Sequence, residues 1–487
     1  MTPPRSEPLL MTDILLVNPK EASGFFEKMP PLGLASIAAY LEKNGFSVRI
    51  HDAEIESGKI EELLSEIHPR FVGISGTTHT RFESFEIARR VKRHNPDVVT
   101  VYGGVHASFT AADTLRYIPE LDYAIKGEGE KTFTEFIQKH DRGENFRTVR
   151  GLAYREGSGV TENPDPSRLD LENLPRPAYH LLNMKRYSVK MEFCGQNGIS
   201  LITARGCLAR CSFCSASRMF DHLVTTRTSA NVVDEIEFLF NEYGYTAIKI
   251  FDSTFTADRG HVTQICDEIL DRKLSFPWEC EIRIGTVDRQ LLEKMRSAGC
   301  YYVDVGMESG SQKVLNLMRK GITVEEAEET INMCHEAGLK IKAFFSFGHI
   351  GEYPEDAEKT FQFIDRNRSK ITLLACGAGV RIYPGTYLEA YARTNNFLPQ
   401  DFEWNRPYHD EWLANIFQTT TIPVLLQPQL GKSELENIVL RVYNQRYQGW
   451  AGFKKGLKKI TDPAKLKKLP TYLKLRVRES LKPRNKP

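Results

Sequence analysis

Three cysteines lie close together in the segment RGCLARCSFCSASR. Cys207, Cys211 and Cys214 give the spacing C-x3-C-x2-C. Cysteine thiolates hold iron–sulfur clusters, usually with four ligands to a cluster. Three thiolates on one tight loop leave one iron of a [4Fe–4S] cube without a protein ligand, and an open metal position can bind a further molecule. The spacing therefore predicts a catalytic [4Fe–4S] cluster.

A zinc site is the alternative for this cysteine motif. Zinc would require a fourth Cys or His at motif spacing, and His222 is the nearest candidate. The other six cysteines are scattered singly: Cys194, Cys266, Cys280, Cys300, Cys334 and Cys376. A chain of 487 residues with this pattern does not suggest a disulfide scaffold, so we expect buried, reduced thiols there.

The cysteine motif follows the first strand of a repeating strand–helix series. The predicted strands are 199–206, 247–253, 278–284, 301–309, 341–348 and 372–380. Six strand–helix repeats predict a partial (β/α)6 barrel. By analogy with the complete eightfold barrel, its reactive residues should lie at the carboxyl ends of the strands.

The first part of the chain contains an earlier strand–helix series. Strands are predicted at 14–19, 47–52, 71–76, 98–104 and from residue 123. Five βα units in succession predict a doubly wound, Rossmann-like parallel sheet, whose ligands bind at the strand carboxyl ends. The segments SGTTHT (75–80), GGVHAS (103–108) and GEGE (127–130) fall there. Ordinary βα turns are the alternative, but three such segments together favour a ligand site.

The composition is that of a folded protein with an uneven charge distribution. Hydrophobic residues make up 41% and charged residues 26%, and the net charge is +2. The predicted domains are a Rossmann-like domain (11–145), a hairpin and linker (146–192), the partial barrel (193–384), a mostly helical cap (385–452) and a basic tail (453–487). We see no signal peptide and no apolar run long enough to span a bilayer, so we expect a cytoplasmic protein.

The predicted tail carries 13 Lys or Arg residues against Asp462 and Glu479. Three interpretations stay open for it: a solvated tail, a surface helix on anionic lipid at the inner membrane face, or a nucleic-acid contact. Nucleic acid is the least favoured of the three. Pro463 and Pro470 would interrupt any long helix.

The barrel segment, with Phe213 before the last cysteine of the motif, resembles the radical S-adenosylmethionine (SAM) superfamily. The resemblance implies that the open iron chelates SAM and that one electron cleaves it to a 5′-deoxyadenosyl radical. The segments FDSTF, CEIRIG, GMESGS and GHIGE resemble cofactor-contacting stretches of that family. The SAM-binding residues implied are Phe213, Asp252, Ser253, Glu281, Arg283, Glu308, Ser309 and Gly348. The alternative for each polar residue is a strand-end charge that pairs with a neighbour.

The first domain resembles the cobalamin-binding domain that is fused to some radical SAM enzymes. The resemblance lies in PPLGLASIAAYLEKNGFSV, VGISGTTHT, VTVYGGVHAS and YAIKGEGE. The cobalamin contacts implied are Leu32, Ser75, Gly76, Thr77, Gly103, Gly104, His106, Gly127, Glu128 and Gly129. The D-x-H-x-x-G motif that gives cobalt a lower histidine ligand in other cobalamin proteins is absent. No axial ligand is therefore assigned.

Together the two resemblances imply an enzyme with three cofactors: a [4Fe–4S] cluster, SAM and cobalamin. The expected reaction is methylation of an unactivated carbon in a small-molecule substrate, such as a lipid or tetrapyrrole. The chain resembles class B radical SAM methyltransferases, and also the anaerobic Mg-protoporphyrin monomethyl ester cyclase and hopanoid methylase families. An external electron donor such as flavodoxin or ferredoxin is implied.

Three other functions are alternatives to methylation. An oxidative cyclase or another non-methylating rearrangement would use the same machinery. A cobalamin-binding sensor with a vestigial cluster motif is disfavoured by the intact cysteine spacing. Methylthiolation is disfavoured because such enzymes hold a second cluster through three N-terminal cysteines, and the first 190 residues here contain none.

Overall fold

The structure is a computed structural model that describes residues 12–21, 28–191, 193–408, 410, 412 and 421–446. The predicted basic tail lies outside these residues. None of the described helices is both long enough and apolar enough to cross a membrane.

The first half of the chain forms a seven-stranded sheet in the order β2-β1-β3-β4-β5-β6-β7. Its strands are β1 (Ile14–Asn18), β2 (Val48–Asp52), β3 (Phe71–Ser75), β4 (Val99–Gly103), β5 (Tyr123–Ile125), β6 (Leu152–Glu156) and β7 (Gly159–Glu162). The intervening helices are α1 (Leu32–Lys43), α2 (Ile60–Ile67), α3 (Arg81–His94), α4 (Val105–Tyr117) and α5 (Gly129–Asp141). Strands β1 to β5 are parallel, which confirms the doubly wound sheet.

The predicted hairpin extends this first sheet. Strand β6 pairs antiparallel with β5, and β7 pairs antiparallel with β6. The helices pack on the sheet through faces that their sequence periodicity specifies. In α2, for example, the buried residues are Ile60, Leu63, Leu64 and Ile67, the spacing of one helical face.

The second half forms another seven-stranded sheet, in the order β16-β15-β14-β13-β12-β9-β8. Its strands are β8 (Val189–Lys190), β9 (Asn197–Leu201), β12 (Ala247–Ile250), β13 (Trp278–Ile282), β14 (Cys300–Glu308), β15 (Lys340–Phe347) and β16 (Leu373–Ala378). The helices are α6 (Ala216–Met219), α7 (Ser229–Tyr243), α8 (Arg259–Asp271), α9 (Arg289–Ser297), α10 (Gln312–Leu317), α11 (Val324–Glu336) and α12 (Pro354–Asn367). Six parallel strands curl into a half-barrel, as predicted, and β8 adds an antiparallel edge.

The strand predicted over 199–206 is wrong in its second half. It ends as β9 at Leu201, and β10 (Ala204–Gly206) instead forms an antiparallel ribbon with β11 (Val224–Thr226). The cause is Asp252, whose carboxylate accepts hydrogen bonds from the backbone N–H groups of Thr203 and Ala204. These bonds draw the chain away from the sheet just before the cysteines.

The two halves share one continuous hydrophobic core. The linker contributes to it through Ala178, Tyr179 and Tyr187. The backbone N–H of Ala178 donates to the carbonyl of Ala35 on α1 at 2.9 Å, and Tyr179 Oη donates to Glu235 on α7 at 2.5 Å. The linker thus fixes the first domain against the half-barrel.

The cap that follows the barrel packs on both domains. Its described helices are α13 (Tyr387–Thr394) and α14 (Lys432–Arg446). The fully buried Arg81 of α3 donates to the backbone carbonyls of Trp404 and Thr421 at 2.8 and 2.5 Å. These bonds fasten the cap to the first domain.

Candidate active site

The three cysteines of the motif lie in the loop that leaves β10. Gly206, which precedes them, has φ +104°, and a Cβ there would collide with the carbonyl oxygen of Leu223. Within the loop, Ser212 N–H donates to the carbonyl of Met318, and Leu388 N–H donates to the carbonyl of Ser212, both at 2.8 Å. The loop is therefore held between the end of α10 and the start of α13.

Polar groups from neighbouring strand ends surround the three half-buried thiols. Cys207 Sγ lies 3.5 Å from Thr254 Oγ1, and Arg283 Nη1 lies 3.9 Å from Cys211 Sγ. Burial raises the pKa of the Cys214 thiol, and the other two thiols raise it further. Because the thiolate is the form that binds metal, each cysteine would be held as the thiolate by the iron that it ligates.

A buried ion pair supports this site from β14. Lys320 Nζ donates to Glu308 Oε1 at 3.0 Å, and Ser346 Oγ donates to Glu308 Oε2 at 2.8 Å. Burial alone would raise the pKa of Glu308, but Lys320 holds it below its ordinary value. Glu308 has φ +63°, and such backbone strain in a non-glycine residue clusters at functional sites. Arg283 Nη2 donates to the carbonyl of Lys320, so these residues form one unit beside the cysteines.

The predicted SAM residue Asp252 is occupied with the backbone. It accepts hydrogen bonds from Thr203 N–H (2.7 Å), Thr203 Oγ1 (2.5 Å) and Ala204 N–H (3.1 Å). Burial raises the pKa of Asp252 to about 6. Its neighbour Ser253 is exposed and lines a cavity between the two domains.

Two more of the predicted SAM residues lie in the turns after β14 and β15. Ser309 is buried, and its Oγ lies 3.0 Å from Thr360 Oγ1 on α12. Gly348 has φ +96°, and its N–H donates to Glu352 Oε2 at 2.6 Å. Gly348 thus shapes the turn, while Ser309 faces α12.

The last two predicted SAM residues are Glu281 and Phe213. Glu281, on β13, is half-buried opposite Asp304 of β14. Burial, followed by the charge of Asp304, raises the pKa of Glu281 to about 7. Phe213 packs with its ring 5.2 Å from the ring of His349. Contact of these residues with SAM stays a prediction.

The zinc alternative gains no support from His222. Its Nδ1 lies 3.1 Å from the carbonyl oxygen of Ala209. Among the residues that the structure describes, no three His, Cys, Asp or Glu side chains converge as ligands of a single metal ion.

A cavity of about 470 Å³ opens at the carboxyl ends of the first sheet and is closed from the other side by the half-barrel. This volume lies within the range of small-molecule and cofactor sites, about 300–1,000 Å³. It reaches between β1 and β3, where the strand order reverses, the usual ligand position in doubly wound sheets. Arg205 and Gly206 also line it, next to the first cysteine of the motif.

The predicted cobalamin residues that line this cavity are Leu32, Ser75, Gly76, Thr77, Gly103, Gly104, Gly127, Glu128 and Gly129. His106 does not line it. That side chain is fully buried, with Nδ1 3.2 Å from Thr78 Oγ1 and its ring 6.0 Å from the ring of Trp404. Burial lowers the pKa of His106 well below its ordinary value, so the imidazole is neutral.

The two halves of the chain match two known families. Residues 25–137 match the B12 binding domain, and residues 201–364 match the radical SAM superfamily. The first stretch contains most of the residues around the cavity, and the second contains the three cysteines. The chain is a cobalamin-binding radical SAM enzyme. Its cofactors are a [4Fe–4S] cluster, SAM and cobalamin.

This cobalamin-binding radical SAM enzyme has relatives with different reactions in their names. An uncharacterized methyltransferase of Pyrococcus horikoshii is 29% identical over 453 residues, which cover 89% of this chain and 92% of that protein. The anaerobic magnesium-protoporphyrin IX monomethyl ester cyclase of Cereibacter sphaeroides is 30% identical over 72% of this chain and 59% of the cyclase.

A solved structure supports the fold of the enzyme. The radical SAM methyltransferase TsrM of Kitasatospora setae, with cobalamin and a [4Fe–4S] cluster bound, superposes with a TM-score of 0.66 at 22% identity. The match covers 79% of this chain and 75% of TsrM. At this identity the likeness concerns the fold.

Two glycines leave open space in the cavity of the enzyme. Gly33 and Gly103 line it, and a Cβ at either position would meet no atom within 4 Å. A side chain there would project into the open space, so glycine keeps the space free. Leu16, Gly73 and Phe133 also line the cavity and give it an apolar wall.

Sequence motifs missed several residues that the enzyme brings to these sites. Lys320 lies in a turn after α10 with no motif of its own. Arg205 and Phe220 line the cavity from the barrel side, and Pro175 lines it from the linker. The position of Arg205, two residues before the first cysteine, is a signal that would have identified it.

Proposed function

We propose that this enzyme methylates an unactivated carbon of a small-molecule substrate, using a radical from SAM and a methyl group from cobalamin. The observation that carries the proposal is the adjacency of the two sites. Arg205 and Gly206 line the interdomain cavity and immediately precede Cys207 of the cluster loop. Cofactors bound at the two places would therefore face each other across one enclosed space.

The protein's own residues hold and shield the reacting groups. Cys207, Cys211 and Cys214 would hold the cluster. We propose that SAM lies over the open iron among Arg283, Glu308, Glu281 and Ser253. SAM bound to the cluster supplies the radical that abstracts hydrogen, and cobalamin supplies the methyl group. The apolar residues of the cavity wall would help to exclude water, which protects a radical from side reactions.

Oxidative cyclisation is the second candidate function. It is favoured by the cyclase relative, which is 30% identical over 72% of this chain. Products of SAM separate the two reactions. A methyltransferase that regenerates methylcobalamin from SAM releases S-adenosylhomocysteine as well as 5′-deoxyadenosine. Cyclisation releases 5′-deoxyadenosine without S-adenosylhomocysteine.

The test uses anaerobic, cluster-reconstituted, cobalamin-loaded protein with lipid or tetrapyrrole extracts as substrate pools. Liquid chromatography quantifies both SAM products. Comparable amounts of the two, dependent on extract, support methylation. 5′-Deoxyadenosine without S-adenosylhomocysteine contradicts methylation and favours cyclisation.

We propose that an external one-electron donor such as flavodoxin or ferredoxin reduces the cluster. Support comes from the surface around the cysteine loop, where Leu208 is 54% exposed and the neighbouring Arg210 is also exposed. The positive charge of Arg210 would attract an acidic donor protein. Contact of the basic tail with a membrane stays a prediction, because the tail lies outside the described residues.

A further inference from the structure

Arg205 joins the two cofactor sites through a buried network of charges. Its Nη1 donates to Glu128 Oε1 at 2.7 Å, and its Nη2 donates to Glu130 Oε1 at 2.7 Å. Arg205 Nη2 also donates to Ser36 Oγ at 3.2 Å, and Ser36 Oγ donates to Glu130 Oε1 at 2.8 Å. All four residues line the interdomain cavity. We call them the Arg205 clamp.

The Arg205 clamp is charged and mostly buried. The side chains of Arg205, Glu128 and Glu130 are 19%, 12% and 3% exposed. Burial alone would raise the pKa of Glu130, but Arg205 holds it below its ordinary value. A buried ion pair contributes little net stability, because desolvation of the charges offsets their attraction. What such a network does supply is a defined geometry between the elements that it joins.

The clamp connects elements that belong to different sites. Glu128 and Glu130 flank the start of α5, whose first turn faces the cavity. Arg205 lies in β10, two residues before Cys207. Between Arg205 and Cys207 lies Gly206, which pairs with Val224 in the ribbon of β10 and β11 and has room for no side chain beside the carbonyl of Leu223. Two hydrogen bonds and two residues of chain therefore separate the start of α5 from the first cysteine.

We propose that Arg205 is a positioning residue that couples occupancy of the cobalamin cavity to the seating of the cluster-binding loop. The inference rests on the proposed function, because it gives a role to the contact between the two cofactor sites. Cobalamin in the cavity would hold Glu128 and Glu130 in place, and through Arg205 it would fix β10. Coupling between two binding sites is reciprocal, so the cluster should strengthen cobalamin binding by the same factor.

The test is a titration of the full chain with hydroxocobalamin, with and without the reconstituted cluster, followed by absorbance. For the unmodified protein we expect the cluster to tighten cobalamin binding about tenfold, within the usual range of coupling between sites. Arg205→Lys keeps the positive charge but loses the guanidinium that donates to Glu128 and Glu130 at the same time. Glu130→Gln keeps the size of the side chain but loses its negative charge. Both should bring the ratio to about one. The ratio compares one variant with and without its cluster, so it reports the coupling whatever the variant does to the cluster-free affinity.

A matched control removes a buried hydrogen bond away from the cavity. Tyr187 Oη donates to Asp52 Oδ2 at 2.7 Å, and neither residue lines the cavity. Tyr187→Phe should keep the ratio of the unmodified protein. Hydrogen exchange of residues 204–214 provides a second measurement that does not require catalysis: cobalamin should slow it in the unmodified protein and in Tyr187→Phe, but not in the clamp variants.

The outcomes distinguish the coupling from the proposed function. A ratio of one in the unmodified protein, or an unchanged ratio in both clamp variants, would overturn the role of Arg205 alone. Failure of the unmodified protein to bind hydroxocobalamin at all would overturn the proposed function as well.

Discussion

At the residue scale, the three cysteines of the loop after β10 are the proposed ligands of the [4Fe–4S] cluster. Cys211→Ala removes one of the three thiolates that we propose as the protein ligands of the cluster. We expect loss of most of the bound iron and at least a hundredfold fall in 5′-deoxyadenosine formation, measured on anaerobically reconstituted protein. Cys334→Ala changes a buried thiol on α11 and serves as the control. Equal iron content in Cys211→Ala and the control would contradict the assignment.

A second residue-scale prediction concerns the buried carboxyl of Glu352. It accepts hydrogen bonds from Gly348 N–H (2.6 Å) and His349 N–H (2.9 Å), and burial raises its pKa to about 7. A carboxyl whose pKa is higher in the folded than in the unfolded state favours folding at acid pH. That contribution is lost as the pH rises from the unfolded value toward 7 and is constant above it.

Glu352→Gln removes this dependence on pH. Relative to that of the unmodified protein, its free energy of unfolding should increase by about 2 kcal/mol between about pH 5.5 and pH 8, which means a relative gain in stability. Urea unfolding at the two pH values measures the change. Glu355→Gln, at an exposed position in the first turn of α12, should show no such trend. A difference that is independent of pH in Glu352→Gln would refute the explanation.

Residues in compact motifs were predictable from the sequence, and residues that act from a distance were not. The cysteine loop and the strand-end glycines each depend on local spacing, and the cavity indeed brings the glycines together. Lys320 enters the site from a turn, and only the folded barrel places it beside Glu308. Asp252 and Ser309 stand in motif positions, but the structure engages both in internal hydrogen bonds. Motif position alone cannot reveal that competition.

At the element scale, the ribbon of β10 and β11 positions the cluster loop. Gly206→Ala would place a Cβ against the carbonyl of Leu223 at a left-handed φ. We expect the ribbon to shift and iron incorporation to fall by more than half, measured as iron per protein. The control is Gly244→Ala at the end of α7, where φ is +71° but no atom lies within 4 Å. It should cost about 1 kcal/mol of stability and leave iron content unchanged.

Most helices and strands of both sheets were predictable from periodicity, because each has one buried face. The break of the first barrel strand was not. Nothing in ISLITARG marks a change of direction after Leu201, since it is Asp252, about 50 residues later, that captures the backbone of Thr203 and Ala204. A long-range hydrogen bond of this kind leaves no signal in a local pattern.

At the scale of the whole molecule, the cavity between the domains is the predicted cobalamin site. Val105 lines it and is 41% exposed, so a larger side chain fits without disturbing the core. Val105→Trp should fill the space and lower hydroxocobalamin retention after desalting at least tenfold, with the fold intact by circular dichroism. Leu270→Trp, on α8 and 40% exposed, is the control and should retain cobalamin. Full retention in Val105→Trp would place cobalamin elsewhere.

The relative placement of the domains was the part least accessible to sequence. The boundary near the Pro-rich linker was expected, but the linker's contribution to the cavity wall was not. Linker, α1, α5 and β10 meet only when both domains are folded.

The most direct test of the account follows the methyl group itself. Anaerobic, cobalamin-loaded and cluster-reconstituted protein is supplied with SAM that carries a trideuteromethyl group, together with lipid and tetrapyrrole extracts. High-resolution mass spectrometry then compares the extracts with those treated with Cys211→Ala protein. We predict a product that has gained one trideuteromethyl group in place of hydrogen, formed only by the unmodified protein. A product that has lost hydrogen or gained oxygen, with no deuterium incorporated, would contradict this prediction.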